Sequence, residues 1–412
     1  MSKKPAVPPT YPPLGSFIDD NTLELVEVLR FEGYGVVYRA EAYFAPQRSC
    51  SVKCLRSARG QSVKWRQLLL REIALHQMAS KHPAVVTLDR VVEEGGFTFI
   101  IMDFAADDNL FTQTLHKTHY LGNDTLIKLV FLQLLDAVQY CHSLGIYHQD
   151  LRPKNVLCYD RGYRIALTNF GLATTDKYST ELRTGSVYYV GPECQAGGSE
   201  RPEPYSPMQS DIWSLGIILL NLVTARNPWK SATPDDAAYQ AYLRDPSHFL
   251  PSALPISDEL NNVLVRVLAI NWKTRIPLPE LRVCIKNIKN LYSKDVIFES
   301  DLARCPWEEG LDLGHGAHHA VQAQQPAPTP EKRPVPDIPE GVEPSCVLSI
   351  TSRTPSPLSS FRNFNPVAAR LAQSSVISST SSCSSATTDY GSCFRPRELS
   401  SQSSIHTVIG RN

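Results

Sequence analysis

The hydrophobic residues of this chain recur with two different spacings, which predict its order of elements. Residues 23–29 alternate in a strand-like manner between apolar and polar side chains, and residues 91–104 suggest two strands around a Gly-Gly turn. Residues 65–79 instead place Leu68, Glu72, Leu75 and Ala79 on one face at helical spacing, and residues 126–142 form a longer apolar stretch of helical character. The pattern therefore predicts a strand-rich part followed by a mainly helical one.

The two ends of the chain differ in composition from this middle part. The first 20 residues are rich in proline, residues 322–344 are again rich in proline, and residues 345–404 are dense in serine and threonine. Such segments bury too little apolar surface to offset the entropy lost on folding. We therefore predict disordered tails at residues 1–20 and 296–412.

The charge balance and the cysteines narrow the class of protein. Lys plus Arg and Asp plus Glu number 41 each, so no bulk charge favours nucleic acid or an anionic membrane surface. The most apolar segments are too short or too interrupted to span a bilayer, and the first residues do not resemble a signal peptide. The ten cysteines lack paired C-x-x-C spacing, which favours reduced thiols. We expect a monomer in the cytoplasm or nucleus, with proteins as its partners.

One stretch carries the main chemical signal. Residues 148–155 have the sequence His-Gln-Asp-Leu-Arg-Pro-Lys-Asn, and residues 167–171 have the sequence Leu-Thr-Asn-Phe-Gly. Together they resemble the catalytic loop and the metal-binding loop of eukaryotic protein kinases, H-R-D-L-K-x-x-N and D-F-G. In that family the aspartate of the first loop accepts the proton of the substrate hydroxyl, and the resemblance assigns this role to Asp150.

Further strings follow in the family's order. They are residues 30–40 (glycine-rich loop), 50–55 (V-A-I-K strand), 82–88, 185–193 (A-P-E), 211–216 (D-x-W-S-x-G) and 271–275. Several of the later strings are similar to fungal serine/threonine kinases related to the fission-yeast repressor of meiosis. The resemblance implies an α+β, bilobal protein-kinase-like fold. Its β-rich N-lobe would span residues 21–105, and its mainly helical C-lobe would span residues 106–295.

The resemblance also implies that the protein binds ATP. Lys53 would hold the phosphates, Glu72 would pair with Lys53, and Arg152 replaces the lysine that steadies the γ-phosphate, so these three join Asp150 as expected catalytic residues. Nucleotide contacts are expected from the glycine-rich loop, the neighbouring strands, the hinge and the segment after the catalytic loop, namely from Gly33, Gly35, Val37, Ser51, Lys53, Met102, Asp103, Ala105 and Leu157.

The expected Mg²⁺ site departs from the family pattern. Its ligands would be Asn155 and Asn169, and Asn169 replaces the D-F-G aspartate, so the site loses a carboxylate of the kind that hard cations prefer. In the glycine-rich loop, Arg30 and Glu32 stand where the first two glycines belong. A Cβ atom there restricts the approach of the backbone to the phosphates, and we expect the Glu32 carboxylate to repel them. Arg30 would reach a phosphate or point to solvent.

Three other positions bear on switching and on the substrate. Gln149 replaces the arginine that reads an activation-loop phosphate, so we expect no switching by that route. Lys154 stands where a glutamate often favours basic substrates, so no preference for arginine is assumed. Ser186 keeps the hydroxyl with which serine/threonine kinases bond the catalytic aspartate.

Two hypotheses therefore stand side by side. In the first, the chain transfers the γ-phosphate of ATP to serine or threonine of protein substrates, at a low rate because the metal site and the glycine-rich loop are weakened. In the second, it is a pseudokinase that acts as a nucleotide-sensing or nucleotide-free scaffold for a signalling partner.

Overall fold

The computed structural model of the protein describes residues 10–32, 35–57, 62–182, 187–195, 203–299 and 302–309. Its first part is a six-stranded antiparallel sheet with the strand order β1-β2-β3-β4-β6-β5. The strands are β1 (Phe17–Ile18), β2 (Leu23–Glu32), β3 (Gly35–Ala42), β4 (Ala45–Arg56), β5 (Leu88–Glu94) and β6 (Phe97–Asp103). This sheet confirms the predicted strand-rich part.

The register of the sheet sorts its side chains onto two faces. Val36 lies opposite Cys54, and Cys54 opposite Phe99, and these three belong to one buried apolar cluster. The next position along places Val37 opposite Lys53, so that pair points to the other face, because successive side chains of a strand alternate. The second face, which carries Val37 and Lys53, is the face on which the expected phosphate-binding lysine lies.

Helix α1 (Val63–Ala79) lies between β4 and β5 in the chain. It begins at Ser62, whose hydroxyl accepts a hydrogen bond from the Trp65 N–H over 3.2 Å, as a capping serine does. Its buried residues are Leu69, Leu75, His76 and Ala79. The predicted helix is therefore confirmed, and Leu68 is 39% exposed while its neighbour Leu69 is buried.

The second part is mainly helical. Helices α2 (Asp124–Ser143) and α3 (Pro207–Thr224) pack together in the largest apolar cluster of the described residues. Around them lie α4 (Ala237–Arg244), α5 (Phe249–Ala253), α6 (Asp258–Val267) and α7 (Leu278–Asn287), with the short hairpin of β7 (Val156–Tyr159) and β8 (Arg164–Leu167). None of the helices in the described ranges is long and apolar enough to cross a membrane.

The ordered domain extends past both predicted boundaries. At the N-terminal end, β1 pairs with β2 and buries Ile18, so residues 17–18 are part of the sheet and not of a disordered extension. At the other end, β9 (Ile297–Glu299) and β10 (Leu302–Arg304) pair with each other. Ala303 is buried in the main apolar cluster, so the described residues 296–299 and 302–309 belong to the folded part and not to a disordered tail.

Candidate active site

Lys53 and Glu72 form an ion pair, as expected. The space that they share with Asn169 and Gly171, between β4, α1 and residues 169–171, is called the cleft below. Lys53 comes from β4 and Glu72 from α1, and the Lys53 Nζ contacts the Glu72 Oε1. The two side chains are 9% and 13% exposed, so the pair is largely shielded from water. Such shielding strengthens the attraction between the two charges relative to a surface pair. The lysine is thereby held in place on an inner strand of the sheet.

Arg30 and Glu32 share the face of the sheet that carries Lys53. The register places Arg30 opposite Val37 and Val37 opposite Lys53, and Glu32 follows Arg30 by two residues. Arg30 Nε donates to Glu32 Oε1 over 2.5 Å, and Glu32 Oε2 lies 3.8 Å from Lys53 Nζ. Arg30 therefore binds Glu32 and does not simply point to solvent, and the Glu32 carboxylate faces a cation within the cleft.

Gly35 is required by packing as well as by its place in the loop. A Cβ atom on Gly35 would lie 2.5 Å from Leu55 Cδ2 and 2.8 Å from the Cys54 carbonyl oxygen, which belongs to the backbone of β4. No L side chain fits at that distance without a shift of the strands. Gly33, the other glycine expected to contact nucleotide, lies outside the described residues.

The other expected nucleotide contacts lie on the Lys53 face of the sheet or in a buried apolar cluster beside it. Val37 and Ser51 are buried on the cleft face of the sheet, and Ser51 lies opposite Met102. Met102 and Leu157 belong to the same buried cluster, and Ala105 packs against it. The Asp103 N–H donates to the Thr87 carbonyl oxygen over 3.1 Å, so an adenine edge would meet the carbonyl of Asp103 and not its N–H.

Asp211 fixes the shape of the catalytic loop. This fully buried carboxylate accepts hydrogen bonds from the backbone N–H groups of His148 and Gln149, each over 2.8 Å, and contacts His142 Nε2 at 3.0 Å. Burial alone would raise the pKa of Asp211, but the hydrogen bond and charge of His142, with the Gln149 N–H, hold it below its usual value. The carboxylate therefore stays ionised and holds the loop that precedes Asp150.

Asp150, Asn155 and Asn169 form one hydrogen-bonded group. Asn155 Nδ2 donates to Asp150 Oδ2 over 2.7 Å, and Asn169 Nδ2 donates to Asn155 Oδ1 over 3.2 Å and to Asp150 Oδ2 over 3.4 Å. The loops at residues 148–155 and 167–171 thus bring the expected base and both expected metal ligands together. Asn169 has a φ of 69°, in the left-handed region that asparagine and aspartate tolerate best after glycine.

The donor set of this group fits a hard divalent cation, although with less charge than the family pattern. Amide and carboxylate oxygens are the ligands that Mg²⁺ prefers, and Asn155, Asn169 and Asp150 carry such oxygens. Among the described residues, however, no group of three or more His, Cys, Asp or Glu side chains is arranged to hold a metal ion. Both expected metal ligands, Asn155 and Asn169, are neutral, whereas the family pattern has one asparagine and one aspartate at these positions.

Arg152 lies beside the expected base. Its Nε is 3.3 Å from Asp150 Oδ1, yet this buried N–H makes no hydrogen bond to any described group. An incoming oxygen acceptor, such as a phosphate, would satisfy it. This placement is compatible with the expected role of Arg152 towards the γ-phosphate.

Three rings form a column that links α1 to the catalytic loop. Phe170, which follows Asn169, stacks on His76 of α1 with ring centroids 4.8 Å apart and meets the edge of His148 at 5.0 Å. The His76 Nε2 bonds to the Val86 carbonyl oxygen over 2.8 Å. His76 therefore both packs against Phe170 and hydrogen-bonds to the backbone inside the protein.

Two further contacts lie in the mainly helical part of the protein. The guanidinium of Arg275 binds both carboxylate oxygens of Glu193, over 2.5 and 2.7 Å, and the Arg275 side chain is fully buried. The side-chain amide of Gln149 donates to the Pro207 carbonyl oxygen over 2.7 Å, so this side chain is bound to the start of α3. Ser186 lies outside the described residues.

The interaction of Glu32 with Lys53 is the functional contact that sequence reasoning missed. From the sequence we expected Glu32 to repel phosphates. We did not predict which groups its carboxylate contacts in the absence of phosphate. The available signal was the two-residue period, which places residues 30 and 32 on the same face of a strand. The register of that strand against β3 is what turns both towards Lys53.

Comparison with known proteins agrees with this geometry. The sequence model of the protein kinase domain matches residues 32–283, which is more than half of the chain. The chain belongs to the protein kinase family. The match covers the Lys53–Glu72 pair, the catalytic loop and the Asp211 anchor.

Several curated members of this family are similar to the chain. The negative regulator of sexual conjugation and meiosis of Schizosaccharomyces pombe is 42% identical over 296 residues, which cover 68% of this chain and 62% of the relative. The serine/threonine-protein kinases VHS1 and SKS1 of Saccharomyces cerevisiae are 37% and 41% identical, over 53% and 51% of this chain and 49% and 44% of their own lengths. The chain therefore spans less than two thirds of each of these relatives, two of which are named serine/threonine-protein kinases.

Proposed function

We propose that this protein is a serine/threonine protein kinase of low activity, which transfers the γ-phosphate of ATP to serine or threonine residues of protein substrates. The observation that carries the proposal is the Lys53–Glu72 ion pair, formed inside the same cleft that contains Asp150. A scaffold that had lost all nucleotide chemistry would not need a buried lysine held by a helix glutamate. The cleft keeps that pair while its metal ligands have changed.

Each polar residue of the cleft has a role in this proposal. Lys53 binds phosphate oxygens, and Glu72 keeps its ammonium group pointing into the cleft. Asp150 accepts the proton of the substrate hydroxyl, and Arg152 offers its unsatisfied N–H to the phosphate that is transferred. Mg²⁺, when bound with ATP, would neutralise phosphate charge, with Asn155 and Asn169 among the residues that hold it.

The activity is low because the metal site has lost a carboxylate. An amide oxygen at Asn169 can still coordinate a cation, but it brings no charge to the site. The loss of a charged group at a metal site is expected to lower metal affinity or rate by about 10- to 100-fold. The substituted glycine-rich loop adds to this effect, because Arg30 and Glu32 carry side chains where the backbone would otherwise approach the phosphates.

The second candidate function is that of a pseudokinase, a scaffold without phosphate transfer. One observation favours it: Asn169 donates to Asn155 Oδ1, which is one of the oxygens a cation would need. The asparagine pair is thus satisfied without a metal ion. In this case the protein would bind a signalling partner and would sense nucleotide without metal, or not at all.

Thermal melting and a transfer assay distinguish the two functions. The purified protein is melted with ATP in EDTA, in Mg²⁺ and in Mn²⁺, and phosphate transfer to a generic protein substrate is followed with radiolabelled ATP. A kinase gives a metal-dependent rise in Tm together with transfer that Asp150→Asn abolishes. A rise in Tm that is the same in EDTA, or no rise, with no transfer, supports the scaffold and overturns the proposed kinase.

A further inference from the structure

The cleft contains a carboxylate that the kinase pattern does not include. In the D-F-G pattern three carboxylates surround the phosphates: the base, the helix glutamate and the D-F-G aspartate. Here the third is missing at Asn169, but Glu32 enters the same cleft from the glycine-rich loop, so Asp150, Glu72 and Glu32 again make three. The number of negative charges is unchanged, and one of them comes from a different wall of the cleft.

Glu32 is held in the cleft but not tightly bound to Lys53. Its side chain is 16% exposed, and its Oε2 lies 3.8 Å from Lys53 Nζ, whereas Glu72 makes the closer contact with the same ammonium group. Its other oxygen accepts from Arg30. Lys53 therefore already has a stronger partner, and Glu32 can leave it without leaving the ammonium group unpaired.

The Asn169 side chain borders the same space. A Cβ atom built on Gly171 would lie 3.4 Å from Glu72 Oε2 and 3.5 Å from Asn169 Oδ1, so these two oxygens line one small region. Glu72 in turn contacts Lys53, which Glu32 faces. The charge added at residue 32 and the charge lost at residue 169 thus belong to one continuous group of polar side chains.

The arrival of phosphates changes the electrostatics of Glu32. Once phosphate oxygens occupy Lys53, the Glu32 carboxylate keeps its contact with Arg30 but loses Lys53 and lies beside a polyanion, which is unfavourable in a partly dry cleft. The positive charge that enters together with the phosphates is the divalent cation. A carboxylate is the ligand that such a cation prefers, and Asn169 does not provide one.

We propose that Glu32 supplies the carboxylate ligand for the divalent cation that Asn169 lacks. This assignment rests on the proposed kinase function, and it makes the remaining metal affinity of the nucleotide site depend on the glycine-rich loop. It also gives the substitution of a loop glycine by glutamate a function. The competing explanation is that Glu32 imitates a phosphate and blocks Lys53.

The two explanations predict opposite effects of Glu32→Gln on ATP binding. We define the metal enhancement as the Kd for ATP in EDTA divided by the Kd in Mn²⁺, both measured by isothermal titration calorimetry. We expect Glu32→Gln to lower this ratio by roughly tenfold, as the loss of a charged ligand does, and Glu32→Gln/Asn169→Asp to restore it. Electron paramagnetic resonance of free Mn²⁺, with a non-hydrolysable ATP analogue, should show the same loss and recovery.

Matched controls separate this effect from a general change of charge or fold. Glu93→Gln removes the same charge from an exposed position of β5 and should leave the ratio unchanged. Glu32→Asp keeps the carboxylate and should retain part of the ratio. Thermal melting without ligand reports whether each variant is folded.

Three outcomes would overturn the assignment. If Glu32→Gln keeps the wild-type ratio, Glu32 is not a ligand, while the proposed kinase function stands. If Glu32→Gln tightens ATP binding equally in EDTA and in Mn²⁺, Glu32 is a competitor for Lys53. If neither the wild type nor Asn169→Asp binds ATP under any condition, the proposed kinase function fails and this assignment fails with it.

Discussion

The side-chain amide of Asn169 donates a hydrogen bond to Oδ1 of Asn155 over 3.2 Å. An aspartate at residue 169 would instead turn two acceptor oxygens towards each other, and only a cation or a proton placed between them would relieve that arrangement. The exchange of one oxygen for an NH₂ group therefore changes a pair of side chains that requires a cation into a pair that is satisfied without one. A cation that binds Asn155 Oδ1 must therefore displace this hydrogen bond.

Asn169→Asp should raise Mg²⁺-dependent phosphate transfer by at least roughly tenfold, because it returns a charged ligand to the site. The left-handed backbone at residue 169 accepts aspartate as well as asparagine, so the fold should not change. The measurement is a Mg²⁺ titration of transfer rate, in which the half-saturating concentration should fall. Asn169→Ala is the control and should show no gain. An unchanged rate in Asn169→Asp would place the limiting defect in the glycine-rich loop.

The sequence was sufficient for the parts of the site that depend on local strings. The resemblance of two short strings to the kinase loops implied that Asp150, Asn155 and Asn169 lie together, and the β7–β8 hairpin joins those two loops. The position of Glu72 relative to Lys53 was predictable in the same way, from the resemblance of both strings to the family.

Contacts that depend on strand register and on distant partners could not be predicted. The turn of Glu32 towards Lys53 follows from the pairing of β2 with β3, which is shifted between Val28 and Arg30, and no local pattern reveals such a shift. The binding of Glu308 to Arg226, a residue 82 positions earlier in the chain, is a second such contact. The composition of the tail carries no sign of that partner.

Gly35→Ala should destabilise the protein even without nucleotide. The added methyl group would meet the Cys54 carbonyl oxygen at 2.8 Å, and that backbone atom cannot move without disturbing the pairing of β3 with β4. We expect the free energy of unfolding to fall by about 1–3 kcal/mol, measured by urea denaturation. Gly171→Ala is the matched control, since its methyl group would have ordinary contacts of 3.4 Å or more. Equal losses in the two variants would contradict this explanation.

The stability of the protein should fall between pH 7 and pH 5 because of His76. Burial lowers the pKa of His76 to about 4 from its ordinary value of 6.5, so the unfolded chain binds this proton more readily than the folded protein does. Stability from the neutral ring is complete above pH 6.5 and is lost as the pH falls towards 4. We expect a loss of roughly 2 kcal/mol between pH 7.5 and pH 5 from urea denaturation.

His76→Gln is the control for this pH dependence. Glutamine keeps a donor for the Val86 carbonyl oxygen but does not titrate, so the decline in stability should become shallower in the variant. It should not vanish, because burial also lowers the pKa of His82. An identical decline in both proteins would show that His76 is not responsible.

The short helical turn Pro306–Glu308, which follows β10, should stabilise the helical part of the protein through Glu308. Both carboxylate oxygens of Glu308 accept from Arg226 over 2.9 Å, and one also accepts from the Cys305 N–H over 2.9 Å. Glu308→Gln keeps the shape but removes the charge, and we expect it to lower the free energy of unfolding by about 1–3 kcal/mol in urea denaturation. Glu280→Gln breaks an exposed pair with Arg266 and should cost under about 1 kcal/mol. If the Glu308 variant lost no more free energy of unfolding than this control, the contact of Glu308 with Arg226 would not stabilise the protein. The stabilised part of the chain would then end near residue 295, where the composition changes.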